Sequence, residues 1–151
     1  MLTLRQNKRY WIGVASRDHV INAVQGGFAQ LCHGKQAPLK KMSTGDWIIY
    51  YSPKIKFKES TPHQKFTAIG KVLGDDVIQS DMGNNFVPFR RSIDFISCNE
   101  TPIQPLISQL SFIKSTKYWG YSFRYGHLEI NEKDFKLIAE KMVNEKEIRL
   151  F

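Results

Sequence analysis

Apolar residues recur along this chain at two periods, and the switching between them outlines a sheet with helices at its sides. Arg9–Ala15 (RYWIGVA) is rich in aromatic and β-branched residues and reads as a strand. Ser16 stands where an N-cap belongs, and Arg17–Gln25 carries Val20, Ile21 and Val24 at helical spacing before Gly26-Gly27 ends the run. Phe28–Lys41 reads as a loop or short helix. After a Thr44-Gly45 turn, Asp46–Ser52 is a strand closed by Pro53. Its Trp47–Tyr51 segment is apolar on both faces, which places it centrally in a sheet. Lys54–Lys65 is polar and basic and reads as an exposed, mobile connection.

Phe66–Leu73 is a strand whose Gly70 marks a bulge or a close backbone approach. Gly74-Asp75-Asp76 reads as a tight turn, with Val77–Ser80 returning antiparallel. Asp81–Asn85 is another turn, and Phe86–Ile96 a long strand with Pro88 at an edge or bulge. Thr101-Pro102-Ile103-Gln104 has the residues of a capped helix start, for a helix running to about Leu110. Tyr118–Arg124 is a strand or extended segment. Asn131 caps a last helix, with Asp134 at N3 and Phe135, Ile138 and Met142 as its apolar stripe. This order predicts an α+β fold, a single domain over residues 1–151. Its sheet is antiparallel and barrel-like with peripheral helices, not a parallel βαβ sheet.

Composition adds an asymmetry. The net charge of +8 lies wholly in residues 1–75, which hold 12 Lys+Arg and 4 Asp+Glu; residues 76–151 hold 10 of each. A positive field in one half attracts phosphates, although solubility alone also accounts for it. Met1–Tyr10 lacks the apolar core of a signal peptide, and no apolar run is long enough to span a bilayer. Cys32 and Cys98 form no metal-ligand spacing, so a reducing, cytoplasmic setting is expected, with no metal and no cofactor.

Candidate chemistry follows the strands. Alternation in the first puts Trp11, Gly13 and Ala15 on one face: one large ring beside two small residues, leaving room for a flat ligand or for close packing on Gly13. Tyr50 and Tyr51 point opposite ways. Arg91 falls in the apolar row of Phe89, Ile93 and Phe95, where an arginine is costly unless paired; a functional cleft is one place for it, and a structural ion pair with Asp46 or Asp94 the other. A bulge at Pro88 would put Arg90 there instead. The segment from Lys117 to Tyr125 interleaves aromatics with cations and reads first as core, second as a ligand contact. Catalytic signatures are weak: Cys32 and His33 are adjacent, His19 sits at N3 of the first helix, and no phosphate loop or metal motif is present.

Tyr10–Ser16 (YWIGVAS), Asp18-His19-Val20, Gly27-Phe28, His33-Gly34-Lys35, Pro38-Leu39, Gly45-Asp46, Tyr50–Pro53 (YYSP), Phe66–Val72 (FTAIGKV) and Arg90-Arg91, with the later Trp119-Gly120, Phe123-Arg124 and Asp134-Phe135, together resemble the EVE domain family over nearly the whole chain. That family is PUA-like and related to the YTH readers of methylated adenine in RNA. The resemblance implies a small antiparallel or mixed β-barrel flanked by helices. It also implies a non-enzymatic, monomeric module that reads a base, a modified one by analogy, in RNA or DNA. By the same resemblance Ser16 and Arg17 occupy the turn after strand one. Phe28 stands where YTH domains have a cage tryptophan, and Arg17 where they have an asparagine reading the adenine edge. An arginine suits an acceptor-bearing edge, such as guanine or cytosine O2 and N3.

The expected base site is therefore Ser16, Arg17 and Phe28, with Trp11, Tyr50 or Tyr51 as the facing wall. Lys35, Lys40, Lys41, Lys54, Lys56 and Lys58, with Arg91 or Arg124, are the expected phosphate contacts. Two alternatives stand beside this reading. One is a nucleoside- or RNA-processing enzyme with Lys35 or Lys41 as a desolvated amine. The other is a module that docks an acidic protein.

Overall fold

The computed structural model describes residues 8–151 and every side chain among them but that of Asp75. Most of the Met1–Tyr10 segment, on which the signal-peptide reading rests, lies outside the described residues. In chain order the elements are β1 (Tyr10–Val14), α1 (Arg17–Gly26), β2 (Phe28–Ala29), α2 (Gln36–Lys41), β3 (Trp47–Lys54), β4 (Pro62–Gln79), β5 (Phe89–Ile96) and β6 (Thr101–Pro102). Two 3-10 turns (Gln104–Leu106 and Trp119–Phe123), β7 (His127–Ile130), α3 (Glu132–Met142) and α4 (Glu145–Ile148) follow. The strands form one curled half-barrel sheet in the order β2-β5-β4-β3-β1-β7, with β6 paired to β4.

The sheet is mixed. β1 and β3 run parallel, from Tyr10 opposite Trp47 to Val14 opposite Tyr51, whereas every other described pair is antiparallel. Parallel strands need a long crossover, and here it consists of α1, β2 and α2. The sheet is thus of the mixed kind that the family resemblance implied, and the antiparallel reading holds for the other pairs. Asp46 fastens it: the buried carboxylate accepts from Arg9 N at 3.1 Å, Ser43 N at 2.8 Å and Trp11 Nε1 at 2.9 Å.

Strand alternation divides the interior into two cores. Tyr10, Ile12, Trp47, Ile49 and Tyr51 face α3 and the 103–113 segment, while Trp11, Ile48 and Tyr50 face α1 and α2. Gly13 is required between Tyr50 and Leu31, because a Cβ there would stand 2.6 Å from Leu31 Cδ2 and 3.0 Å from Tyr50 Cε1. The space over this glycine is thus filled by the protein's own side chains. In α1 the buried residues are Val20 and Ala23; Ile21 and Val24 are exposed.

Four further local expectations change. Gly74-Asp75-Asp76 is not a hairpin turn. β4 runs through it, and residues 73–76 form a bulge between the Val72–Ile93 and Val77–Arg91 pairs of the same β4–β5 ladder. A bulge absorbs the glycine and the acidic pair without ending the ladder. β5 begins at Phe89, after the buried Pro88, which cannot donate to the ladder. Thr101-Pro102 is a short strand, because its backbone pairs with Phe66 and Lys65 and the Thr101 hydroxyl bonds the carbonyls of Asn99 and Lys141. Residues 119–123 are a 3-10 turn that buries Phe123. Asn131 does cap α3, accepting from Asp134 N at 2.7 Å, and Phe135, Ile138 and Met142 are buried. No helix among the described residues is long and apolar enough to cross a membrane.

Two stability outcomes follow. Asp46→Ala leaves an indole N–H and two amides without their buried acceptor, and should cost about 2–4 kcal/mol in urea denaturation; a loss below about 1 kcal/mol would remove Asp46 from this role. His127 stacks on Trp11 with centroids 4.7 Å apart, and its buried Nε2 has no hydrogen-bond partner among the described residues. Burial, aided by Lys41, pushes its pKa down to about 4. The unfolded chain therefore binds the proton more tightly, so stability is full above about pH 6.5 and falls as pH drops towards 4. His127→Phe should flatten that part of the stability–pH curve, sparing on the order of 2 kcal/mol at pH 4 relative to pH 7; an unchanged slope would contradict a neutral His127.

Candidate functional site

A cleft of about 600 Å³ opens on the α1–α2 side of the sheet. Its walls come from the β1–α1 turn (Val14, Ala15, Ser16), α1 (His19, Asn22, Ala23), β2 and the following turn (Phe28, Gln30, Cys32, His33), the β3–β4 connection (Lys54, Phe57) and the β4–β5 hairpin with β5 (Met82, Phe86, Arg90). Tyr50 from β3 contributes to the floor.

Each wall has a local cause. Residues 19, 22 and 23 lie at helical spacing, so His19, Asn22 and Ala23 share one face of α1. The helix stops at Gly27, at φ +69° with its N–H on the Ala23 and Val24 carbonyls, and the chain turns back as β2. Gly26 has no Cβ because the Phe28 ring edge would meet one at 2.4 Å. Beyond Gln30 the chain reverses through Cys32, His33 and Gly34, at φ +50°, +61° and +84°. Two successive non-glycine residues in the left-handed region are strained, and such strain concentrates at ligand sites. The turn is held by Gly34 N on Leu31 O at 2.9 Å and by the Cys32 thiol on Tyr125 O at 3.3 Å.

Two stacked pairs dominate the lining. The Arg90 guanidinium lies 3.9 Å from the Phe28 ring centroid, with Nε donating to Gln30 Oε1 at 3.1 Å. The His19 ring stacks on Phe57 at 5.0 Å and 21°, and His33 meets the same ring edge-on at 6.0 Å. Phe57 belongs to the connection expected to be mobile. Its amide instead donates to Asp18 Oδ2 at 3.4 Å, and Asp18 N donates to Ile55 O at 3.0 Å, which fastens the loop to the first turn of α1. Burial raises the Asp18 pKa, but bonds from Ser16, Phe57 N and His19 N outweigh it and hold the carboxyl below its usual range. The Tyr50 hydroxyl is tied to both the N–H and the C=O of Gln30, at 3.2 Å each, and burial pushes its pKa up. Burial likewise raises the Cys32 thiol, which makes it a poor nucleophile.

Of the residues expected in the base site, the structure brings Ser16, Phe28 and Tyr50 together. Trp11 lies in the same layer but is engaged by Asp46, His127 and the Arg9 guanidinium at 4.6 Å. Tyr51 lies on the opposite face of the sheet, stacked on Phe123 at 4.3 Å. Arg17 turns outward to a two-pronged ion pair with Glu100 at 2.8 Å, which His63 joins at 2.7 Å. Of the expected phosphate contacts, Lys54 lines the cleft; Lys35, Lys40 and Lys41 are exposed on or beside α2, off its lining. Arg124 lies at a second groove.

Arg91 is 2% exposed, and its guanidinium donates to the carbonyls of Leu39, Met42 and Gly74. It is therefore turned into the fold, away from the phosphate contact expected of it, with these backbone oxygens among its partners. The contributions of His19, His33, Phe57 and Gln30 went unread. The only available signals were a polar stripe on α1 and a lone aromatic in KIKFKES. Among the described residues no group of three or more His, Cys, Asp or Glu is placed to hold a metal.

The EVE domain model matches residues 9–141. The "UPF0310 protein in gntR 5'region" of Bacillus licheniformis is 60% identical over 128 residues, covering 85% of this chain and 87% of that protein. The UPF0310 protein YdcG of Bacillus subtilis is 48% identical, covering 90% and 93%. Among solved structures, the YTH domain of Zygosaccharomyces rouxii MRB1 in complex with N6-methyladenosine RNA aligns with a TM-score of 0.58 at 11% identity, covering 93% of this chain and 90% of that one. At that identity the likeness is one of fold; the sequence matches establish that the chain belongs to the EVE domain family.

Proposed function

We propose that this protein is a non-enzymatic nucleic-acid-binding module that holds one base, modified and either extruded or single-stranded, in the α1-side cleft. The observation that carries the reading is the pair of flat stacks, Phe28–Arg90 and His19–Phe57, in one cleft with few but distinct polar groups. Base sites combine π-faces with edge-reading hydrogen bonds in this way. The fold shared with a YTH domain solved on N6-methyladenosine RNA supports the same reading.

In this proposal the base enters beside Phe57 and stacks against the aromatic walls. Ser16, Asn22 and Gln30 meet its edge. Arg90, flat on Phe28, offers a stacking face and donors suited to an acceptor-bearing edge. With Arg17 held by Glu100, the reading role passes to Arg90. Lys54 at the mouth, with Lys56 and Lys58 on the same loop, takes phosphates. Extrusion costs a few kcal/mol, which two stacks of about 1–3 kcal/mol each can offset.

A thermal-shift panel of plain and methylated nucleosides should reveal a stabilising ligand by mass action; a flat response across the panel overturns the base-pocket reading. For whichever nucleoside binds, Phe57→Ala and Arg90→Ala should each weaken affinity by about 1–3 kcal/mol, with unfolding midpoints near wild type; unchanged affinity would take those side chains out of the site. Affinity for a single-stranded oligonucleotide should fall with salt, at a log–log slope of roughly −0.7 per phosphate contacted; a slope near zero would exclude the lysine contacts.

A further inference from the structure

Beside the cleft lies a second surface, built from the 112–125 segment. Tyr118, Tyr121 and Tyr125 are 65%, 65% and 73% exposed, so the outward residues of a run expected to be core face solvent, while Phe123 is buried. The Arg124 guanidinium lies 3.7 Å from the Tyr121 ring centroid and 4.3 Å from that of Tyr125, and the Lys117 ammonium 5.3 Å from Tyr118. Residues 112–126 hold Lys114, Lys117 and Arg124 and no acidic residue, and none of the three cations is in an ion pair among the described residues. A groove of about 740 Å³ runs through the cluster. Exposing three tyrosines costs hydrophobic burial.

The surface is continuous with the cleft. Cys32 lines the cleft and donates to Tyr125 O at 3.3 Å, and Gly126 packs on the same sulfur. Tyr125 touches Arg124, Arg124 touches Tyr121, and Tyr121 lines the groove.

We infer that Tyr118, Tyr121, Arg124 and Tyr125 form a stacking track for the nucleotides next to the base in the cleft, so that the ligand is a single-stranded nucleic acid several nucleotides long. The inference builds on the cleft as a base site, but the track makes its own contacts. Rings alternating with cations take successive bases and phosphates without reading sequence. An acidic peptide would satisfy the cations and leave the exposed tyrosine faces unused.

The test is fluorescence anisotropy with labelled dT12 and U12, on wild type, Tyr121→Ala/Tyr125→Ala, Arg124→Gln and Phe57→Ala, with nucleoside thermal shifts run on each. The double tyrosine variant should bind both oligonucleotides at least tenfold more weakly, and Arg124→Gln severalfold more weakly with a shallower salt slope. Both should melt like wild type and keep the wild-type nucleoside response. A preference for dT12 or U12 identifies the polymer. Wild-type affinity in the tyrosine variant overturns the track, as does wild-type failure to bind either oligonucleotide at low salt. Displacement by poly-glutamate at equal charge concentration also overturns it, in favour of a protein partner. If instead no nucleoside binds and Phe57→Ala leaves oligonucleotide affinity untouched while the tyrosine variant loses it, the cleft reading fails and the track stands.

Discussion

The cleft side of the molecule depends on a guanidinium that never reaches solvent. Arg91 is buried, and a buried arginine left without partners would cost several kcal/mol. Its donors satisfy two carbonyls at the C-terminal end of α2, Leu39 and Met42, and one in the β4 bulge, Gly74. Those helix-end carbonyls have no intrahelical partner, so each side completes the other. The backbone of Arg91 pairs with Ala29, which fixes where Phe28 and Gln30 emerge. One residue earlier, alternation sends Arg90 the other way, onto the Phe28 ring. Two adjacent arginines thus divide the work: one fastens helix, bulge and strand together, and the other lines the cleft.

Two buried carboxylates, Asp46 and Asp134, are likewise held by backbone amides together with neutral side-chain donors. Asp46 takes two amides and an indole N–H. Asp134, wholly buried, takes the amides of Ser111 and Phe112 and the Ser111 hydroxyl, which holds the far-side loop against α3. A carboxylate can accept several such bonds at fixed geometry. Among the described residues, the cations in the loop after β3 and around Arg124 have no carboxylate partner, which leaves positive charge at the surface there.

The sequence announced its elements where a local rule decided them. The Asn131 cap, the stripe of Phe135, Ile138 and Met142, the Gly26-Gly27 stop and the opposed faces of Tyr50 and Tyr51 all follow from spacing alone. It misled where tertiary pairing overrode a local signal. Gly74-Asp75-Asp76 has turn chemistry, yet the β5 partner continues past it; Thr101-Pro102 has cap chemistry, yet Phe66 and Lys65 claim its backbone. The candidate site was legible only by halves. Ser16, Phe28 and Tyr50 line one cleft, but the partner of Arg17, the burial of Arg91 and the approach of Phe57 to His19 are contacts between residues far apart in sequence, and no periodicity carries them.

The parallel pairing of β1 with β3 bears on how the protein is made as well as how it is shaped. Those strands meet only after residues 15–46 have been closed into a loop, and that loop supplies much of the cleft's lining. Loop-closure entropy must be spent before that pairing gives anything back. Non-local parallel pairing of this kind is intrinsically slow to form, and any ligand specific for the finished cleft would act by slowing the reverse step. Such a ligand would lengthen the lifetime of the folded chain and leave its rate of formation unchanged.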